Sequence, residues 1–169
     1  MTAGFQLDEL RVSHGEAGIV SGFNHSSLDE IQESWEENWF PYKLGSYRIR
    51  ILTEPLCVAT IDYGLLTVAT DDGNGDPVLC YPHQRIHVNS SGQLDCMALW
   101  VEYEAAEGIR VETWDGITFP PYLTTPTRFF KEPMKISSPE SCPAIFCDSR
   151  FTFGDSSIGI EFTIPEAGR

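Results

Sequence analysis

The sequence predicts a mainly β protein: an antiparallel β-sandwich or β-barrel of about eight to ten short strands with one N-terminal helix. Apolar and polar residues alternate with a period of two in many segments, most clearly over 57–63 and 157–164. The turns between these segments are short, which leaves little room for the crossover helices that parallel strands need. Only residues 28–39 follow a helical spacing instead.

Length and composition favour one folded domain. The chain has 169 residues, and 41% of them are hydrophobic and 12% aromatic, enough for a packed core despite a net charge of -14. We therefore expect residues 1–169 to form a single domain. Its β core should occupy 47–114 and 143–164, with a long loop rich in proline and aromatic residues over 115–142.

The predicted helix begins after Ser27, which can act as its N-cap, with Glu30 as the capping-box partner. An apolar stripe that includes Trp35 and Trp39 should pack on the core. Three glutamates lie off this stripe and should face water: Glu33, Glu36 and Glu37. They form either a docking face for a basic partner or an ordinary solvated helix face.

The charge balance excludes some partners. Eleven lysines and arginines stand against twenty-five aspartates and glutamates, so most of the surface should repel nucleic-acid backbones and anionic membranes. An acidic surface suits a basic protein partner, although its commonest role is solubility.

Cysteine usage and the N-terminal residues indicate the compartment. Five cysteines, an odd number with irregular spacing, favour free thiols in the cytoplasm or another reducing compartment. The first residues lack the basic start and apolar run of a signal peptide, and no stretch of eighteen apolar residues occurs. We expect a chain that is neither exported nor membrane-spanning.

The segment 115–142 is the first candidate for a binding surface. Its aromatic and basic residues could anchor a partner, and the candidates are Phe119, Tyr122, Arg128, Phe129 and Phe130. The alternative is a loop that folds back to close one end of the sheet. The sequence leaves both interpretations open.

The stretch CYPHQRIHVNSSGQLDC, residues 80–96, raises the question of a metal site. A hairpin that turns at Ser90 to Gly92 would pair Ile86 with Cys96 on the core side and His87 with Asp95 on the solvent side. Cys96 and His87 would then face opposite sides of the sheet, so we expect buried cysteines, surface histidines and no metal or other cofactor.

No catalytic residue can be assigned. Ser156 lies in a GDSS turn without the nucleophile elbow of serine esterases. Glu102 and Glu104 project from one flat sheet face, whereas a glycosidase needs carboxylates on both sides of a sugar. The sequence therefore favours a binding protein over an enzyme.

Two functions fit these features. The first is a non-enzymatic acidic β-domain that binds another protein, as inhibitor or immunity proteins and viral accessory or structural proteins do. The second is a lipocalin-like barrel for a small apolar ligand, with cyclase or isomerase chemistry as a variant. The barrel would need a buried titrating group such as His25 and a cavity lined by Trp100, Tyr103, Phe151 and Phe153.

Overall fold

The computed structural model describes residues 1–7, 19–24, 26–27, 38–62, 70–71, 77–114, 119–142 and 144–164, and these confirm a mainly β fold. Every described strand pairing is antiparallel. The strands are β1 (Thr2–Gln6), β2 (Ile19–Val20), β3 (Phe23–Asn24), β4 (Phe40–Tyr42), β5 (Arg50–Ile51), β6 (Thr70–Asp71), β7 (Pro77–Ile86), β8 (Gly92–Leu99), β9 (Glu102–Ala106), β10 (Ile109–Glu112), β11 (Thr125–Ile136), β12 (Ile145–Thr152) and β13 (Ser157–Thr163). Short 3-10 turns span Leu44–Ser46 and Pro139–Ser141.

Two larger sheets form the body. The five-stranded sheet has the order β4-β11-β8-β1-β5, and the four-stranded sheet has the order β13-β12-β7-β6. Strands β9 and β10 form a separate hairpin, as do β2 and β3. The two larger sheets pack on each other through a second core cluster, which contains Leu94, Met97 and Ile136 from one sheet and Ile86, Ile145, Cys147 and Ile160 from the other.

A first core cluster covers the opposite face of the five-stranded sheet. It is rich in aromatic rings: Trp100 and Trp114 meet edge to face at 4.6 Å between ring centroids, and Phe5 and Phe119 lie 5.7 Å apart. Leu44, in the first 3-10 turn, belongs to the same cluster. Burial of rings of this size supplies a large share of the stability of a domain.

Strand β11 corrects the prediction of a long loop over 115–142. It runs for twelve residues between β4 and β8, so much of this segment is sheet. Two prolines made the segment look irregular. Pro126 pairs with Pro41 of the edge strand β4, and Pro133 lies where the β11–β8 register shifts between Phe129 and Met134. Edge pairings and bulges are the places where a sheet accepts proline.

The predicted hairpin over 86–96 is also wrong. Strand β7 belongs to the four-stranded sheet and β8 to the five-stranded sheet, so the chain crosses between layers. The connection is held to residues 52 and 53 instead, since the Asn89 amide donates to the Leu52 carbonyl at 2.9 Å and Val88 bridges Thr53. Apolar alternation could not reveal this, because β8 is buried on both faces.

Other predicted elements have mixed outcomes. The C-terminal hairpin is confirmed, with Thr152 opposite Ser157 and a turn at 153–156. The N-terminal helix is not confirmed: residues 28–37 of the predicted stretch lie outside the described residues, and Trp39 at its end is not helical. Trp39 instead lies half-buried against the second core cluster.

One buried carboxylate ties the strands around β8 together. Asp95 lies in β8 with almost no exposure, and its Oδ2 accepts the amide N–H of Leu7 at 2.9 Å. Its Oδ1 accepts the side-chain amide of Gln93 at 2.7 Å. A buried polar group of this kind is tolerated because it is hydrogen-bonded, and losing the acceptor would leave a buried donor unpaired.

We therefore expect Asp95→Ala to lower the free energy of unfolding by about 1–3 kcal/mol, because the Leu7 amide loses its acceptor. Asp95→Asn keeps an acceptor oxygen and should cost less. Urea titration followed by circular dichroism measures the difference, with the exposed Glu104→Ala as a control that should stay within about 0.5 kcal/mol of the unchanged chain. An Asp95→Ala variant as stable as that control would contradict the assignment.

Candidate functional site

A groove of about 530 Å³ opens where the edges of the two larger sheets meet. Strand β13 is an edge of the four-stranded sheet, and β11 lies next to the edge strand β4 of the five-stranded sheet. The groove is lined by Trp39, Arg128, Ile158, Gly159, Ile160, Glu161 and Phe162. Backbone, aromatic and charged groups thus converge on one concave surface, as in many binding sites.

The free edge of β13 forms one wall. Among the described strands β13 pairs only with β12. The Arg128 guanidinium donates a long hydrogen bond, 3.5 Å, to the carbonyl of Ile160. Residues of an antiparallel strand alternate in the side to which their backbone groups point. The backbone groups of Ile158, Ile160 and Phe162 should therefore point away from β12, toward the groove.

Aromatic rings in mutual contact lie beside this edge. The rings of Trp39 and Phe162 lie 6.1 Å apart at 57°. Phe130 supports Phe162 from β11, with 6.4 Å between the ring centroids in an edge-to-face arrangement. All three side chains also pack against the second core cluster, which fixes the position of the indole at the groove.

Two carboxylates lie opposite each other beside the groove. Glu161 of β13 lies directly opposite Asp148 of β12, and like charges in this position destabilise a sheet. Arg150, two residues further along β12 on the same face, provides one positive charge nearby. The Glu161 side chain is exposed, and within the part of the chain that the structure describes its carboxylate forms no hydrogen bond or ion pair.

Asp148 is held in place by a bulge in β7. The backbone N–H of His83 donates to its Oδ1 at 2.8 Å. His83 has a positive φ of 53°, which a histidine adopts at some cost, and its ring stacks on Phe146 at 4.1 Å. The bulge thus fixes Asp148 and leaves Glu161 as the carboxylate that is free to meet a ligand.

The structure separates the sequence-predicted binding residues. Arg128 lines the groove and Phe130 supports it, whereas Tyr122 is 76% exposed on the 119–124 connection. Phe119 and Phe129 are only 2% and 9% exposed, so they are core residues and not surface anchors. Glu33, Glu36 and Glu37 lie outside the described residues.

Sequence reasoning missed Trp39, Glu161 and the free edge of β13 as parts of a site. The alternation in SIGIEFT correctly predicts a strand with Ile160 inward, but it does not reveal which strand lies at an edge. Strand order depends on contacts between distant segments.

The four residues predicted to line the cavity of a small-molecule carrier lie in different environments. Trp100 is buried in the first core cluster, whereas Tyr103 is exposed on the β9–β10 hairpin. Phe151 and Phe153 contact each other at 5.0 Å beside the C-terminal turn. His25 lies outside the described residues.

The histidines and cysteines of residues 80–96 lie apart in the structure. No three histidine, cysteine or acidic side chains of the described ranges come together as a metal site. Cys96 is buried and His87 exposed, as expected, but Cys80 is exposed because its part of β7 presents it outward. Burial raises the pKa of the Cys96 thiol well above its usual range, and it raises the pKa of Cys147 to about 11.

Comparison with known proteins gives one partial similarity. No family model matches the chain. The chain is 30% identical over 107 residues to protein arginine N-methyltransferase 7 of zebrafish (Danio rerio). The matched region covers 56% of the chain. The chain spans only 13% of that relative's length.

No helix among the described residues is long and apolar enough to cross a membrane.

The burial of the thiols predicts their reactivity. All five cysteines are free, and Cys57 and Cys80 are exposed whereas Cys96 and Cys147 are buried. Because the thiolate is the reacting species, a raised pKa and burial should both slow the alkylation of a buried thiol. We expect iodoacetamide at pH 8 to modify Cys57 and Cys80 first, and Cys96 and Cys147 only after denaturation, as peptide mass spectrometry would show. Early modification of Cys96 in the folded protein would contradict this packing.

Proposed function

We propose that this chain is a non-enzymatic protein-binding β-domain whose groove holds an extended, arginine-bearing segment of a partner protein. One observation carries the proposal: Trp39 and Glu161 line the same groove, along the edge of β13 that no described strand covers. The backbone edge suits an extended chain, and the two side chains suit a planar cation.

Strand addition is the binding mode that fits the edge. A partner segment can pair with the outward backbone groups of β13 and extend the four-stranded sheet. Its N–H groups would replace the long Arg128 hydrogen bond at the Ile160 carbonyl. Main-chain hydrogen bonds would then provide affinity, while the groove would select the side chains that enter it.

Arginine is the side chain that the groove fits best. A guanidinium stacks on the face of a tryptophan, an interaction worth about 0.5–2 kcal/mol, and it pairs with a carboxylate through two parallel hydrogen bonds. A lysine ammonium stacks less well and cannot form this fork. The net charge of -14 would also attract a basic segment and speed its encounter.

The partial similarity supports the same chemistry. The zebrafish relative is, by its name, an enzyme that modifies arginine in proteins. We assign to this chain the contact with arginine-bearing protein and not the methyl transfer. The described strands are all antiparallel, so they lack the parallel strand–helix–strand unit that commonly binds nucleotide cofactors. The free thiols fit a reducing compartment.

A peptide-binding experiment tests this function. The probe is a fluorescent peptide with arginine at alternate positions and small polar residues between, and a second peptide has lysine at each arginine position. We expect the arginine peptide to bind more tightly to the full chain. Glu161→Gln should weaken that binding about tenfold, or about 1.4 kcal/mol, because the paired hydrogen bonds are lost.

The matched control is Glu107→Gln, which removes the same charge from an exposed position on the β9–β10 turn. It should leave the affinity nearly unchanged. Fluorescence anisotropy gives each dissociation constant, and thermal unfolding checks that both variants stay folded. Equal affinity for the two peptides, or an equal loss in both variants, would show that only the overall charge attracts the peptide.

A further inference from the structure

The β9–β10 hairpin has an exposed apolar face. Tyr103 lies opposite Val111, and Val101 and Ile109 lie two residues earlier on the same side of their strands. All four side chains are about half exposed: Val101 49%, Tyr103 54%, Ile109 57% and Val111 53%. Exposed apolar residues that stand singly are ordinary, whereas a contiguous set marks an interaction surface.

The other face of the same hairpin is polar. The indole N–H of Trp100, a residue of the first core cluster, donates to Glu102 Oε1 at 3.1 Å. Glu104 lies opposite Arg110 on this face, and both are exposed. A hairpin that served only its own fold would bury its apolar side, so four half-exposed apolar side chains need another explanation.

We propose that this apolar face binds a separate protein whose contact surface is apolar at its centre and basic around its rim. Four half-exposed side chains offer on the order of 400 Å², whereas a stable interface buries about 800 Å² on each partner. The contact must therefore extend onto the flanking residues, among which Glu107 of the β9–β10 turn is exposed and acidic. Lysine or arginine on the partner would complement it.

The charges argue against a second copy of this chain as the partner. Two copies would bring the same carboxylates together, and each copy carries a net charge of -14. Like charges across an interface disfavour association and suppress the wrong partner. The hairpin surface is also separate from the groove, because none of its residues lines that groove. The inference is therefore independent of the proposed function.

The test uses two helical peptides of equal length, one with leucine on one face and lysine on the other, and one with glutamate in place of lysine. Binding to the full chain is measured by fluorescence anisotropy at about 0.15 M salt, where long-range attraction is screened. We expect the lysine peptide to bind and the glutamate peptide not to bind. Tyr103→Ser and Val111→Thr should each weaken lysine-peptide binding at least tenfold.

Two control variants separate this surface from the rest of the protein. Tyr122→Ser removes a still more exposed tyrosine outside the hairpin, and Glu161→Gln changes the groove. Both should bind the lysine peptide as the unchanged chain does. If thermal unfolding shows that Tyr103→Ser is unstable, Tyr103→Thr replaces it, because threonine favours a strand.

Three results would overturn the inference. Lysine-peptide binding that is unaffected by Tyr103→Ser would show attraction by charge alone. Equal binding of the glutamate peptide would show that no basic rim is needed. A dimer in sedimentation equilibrium that Tyr103→Ser abolishes would assign the face to a second copy of the chain.

Discussion

The burial of β8 on both faces is the constraint on which the rest of the structure depends. Cys96 and Ala98 belong to the first core cluster, while Leu94 and Met97 belong to the second. A strand placed this way needs a layer on each side, so the aromatic cluster and the four-stranded sheet are both required. Gly4 of β1 serves the same packing, because a Cβ there would overlap Leu94. The pairing of β1 with β8 joins segments more than ninety residues apart. For example, the Thr2 hydroxyl donates a hydrogen bond to the Ala98 carbonyl, 96 residues along the chain.

The layered arrangement also creates the groove. Two sheets that pack face to face leave edge strands where they meet, and an uncovered edge strand can pair with another chain. Among the described strands β13 is such an edge, and Arg128 of the other sheet and Trp39, just before β4, line the groove beside it. Phe162, whose ring contacts Trp39, also packs against the second core cluster. The recognition chemistry that we propose is thus positioned by core packing rather than by a flexible loop.

Local signals in the sequence predicted local structure well. The C-terminal hairpin followed from the GDSS turn and the alternation over 157–164. Predictions failed where contacts between segments far apart in the sequence determine the structure. The prolines of β11 were interpreted as a loop because nothing local shows that Pro126 and Pro133 fall at an edge pairing and a register shift. Of the candidate site, Arg128 was predictable from its charge among aromatics, whereas Trp39 and Glu161 were not, because the edge position of β13 depends on strand order.

Amide hydrogen exchange along β13 tests the central claim most directly, because it reports on the backbone edge itself. In the free protein the amides of Ile158, Ile160 and Phe162 should exchange fast, and those of Gly159 and Glu161, which face β12, should exchange slowly. With the arginine peptide bound, the three fast amides should become protected. Slow exchange of all five amides before binding would contradict a free edge, and fast exchange of the three after binding would contradict strand addition.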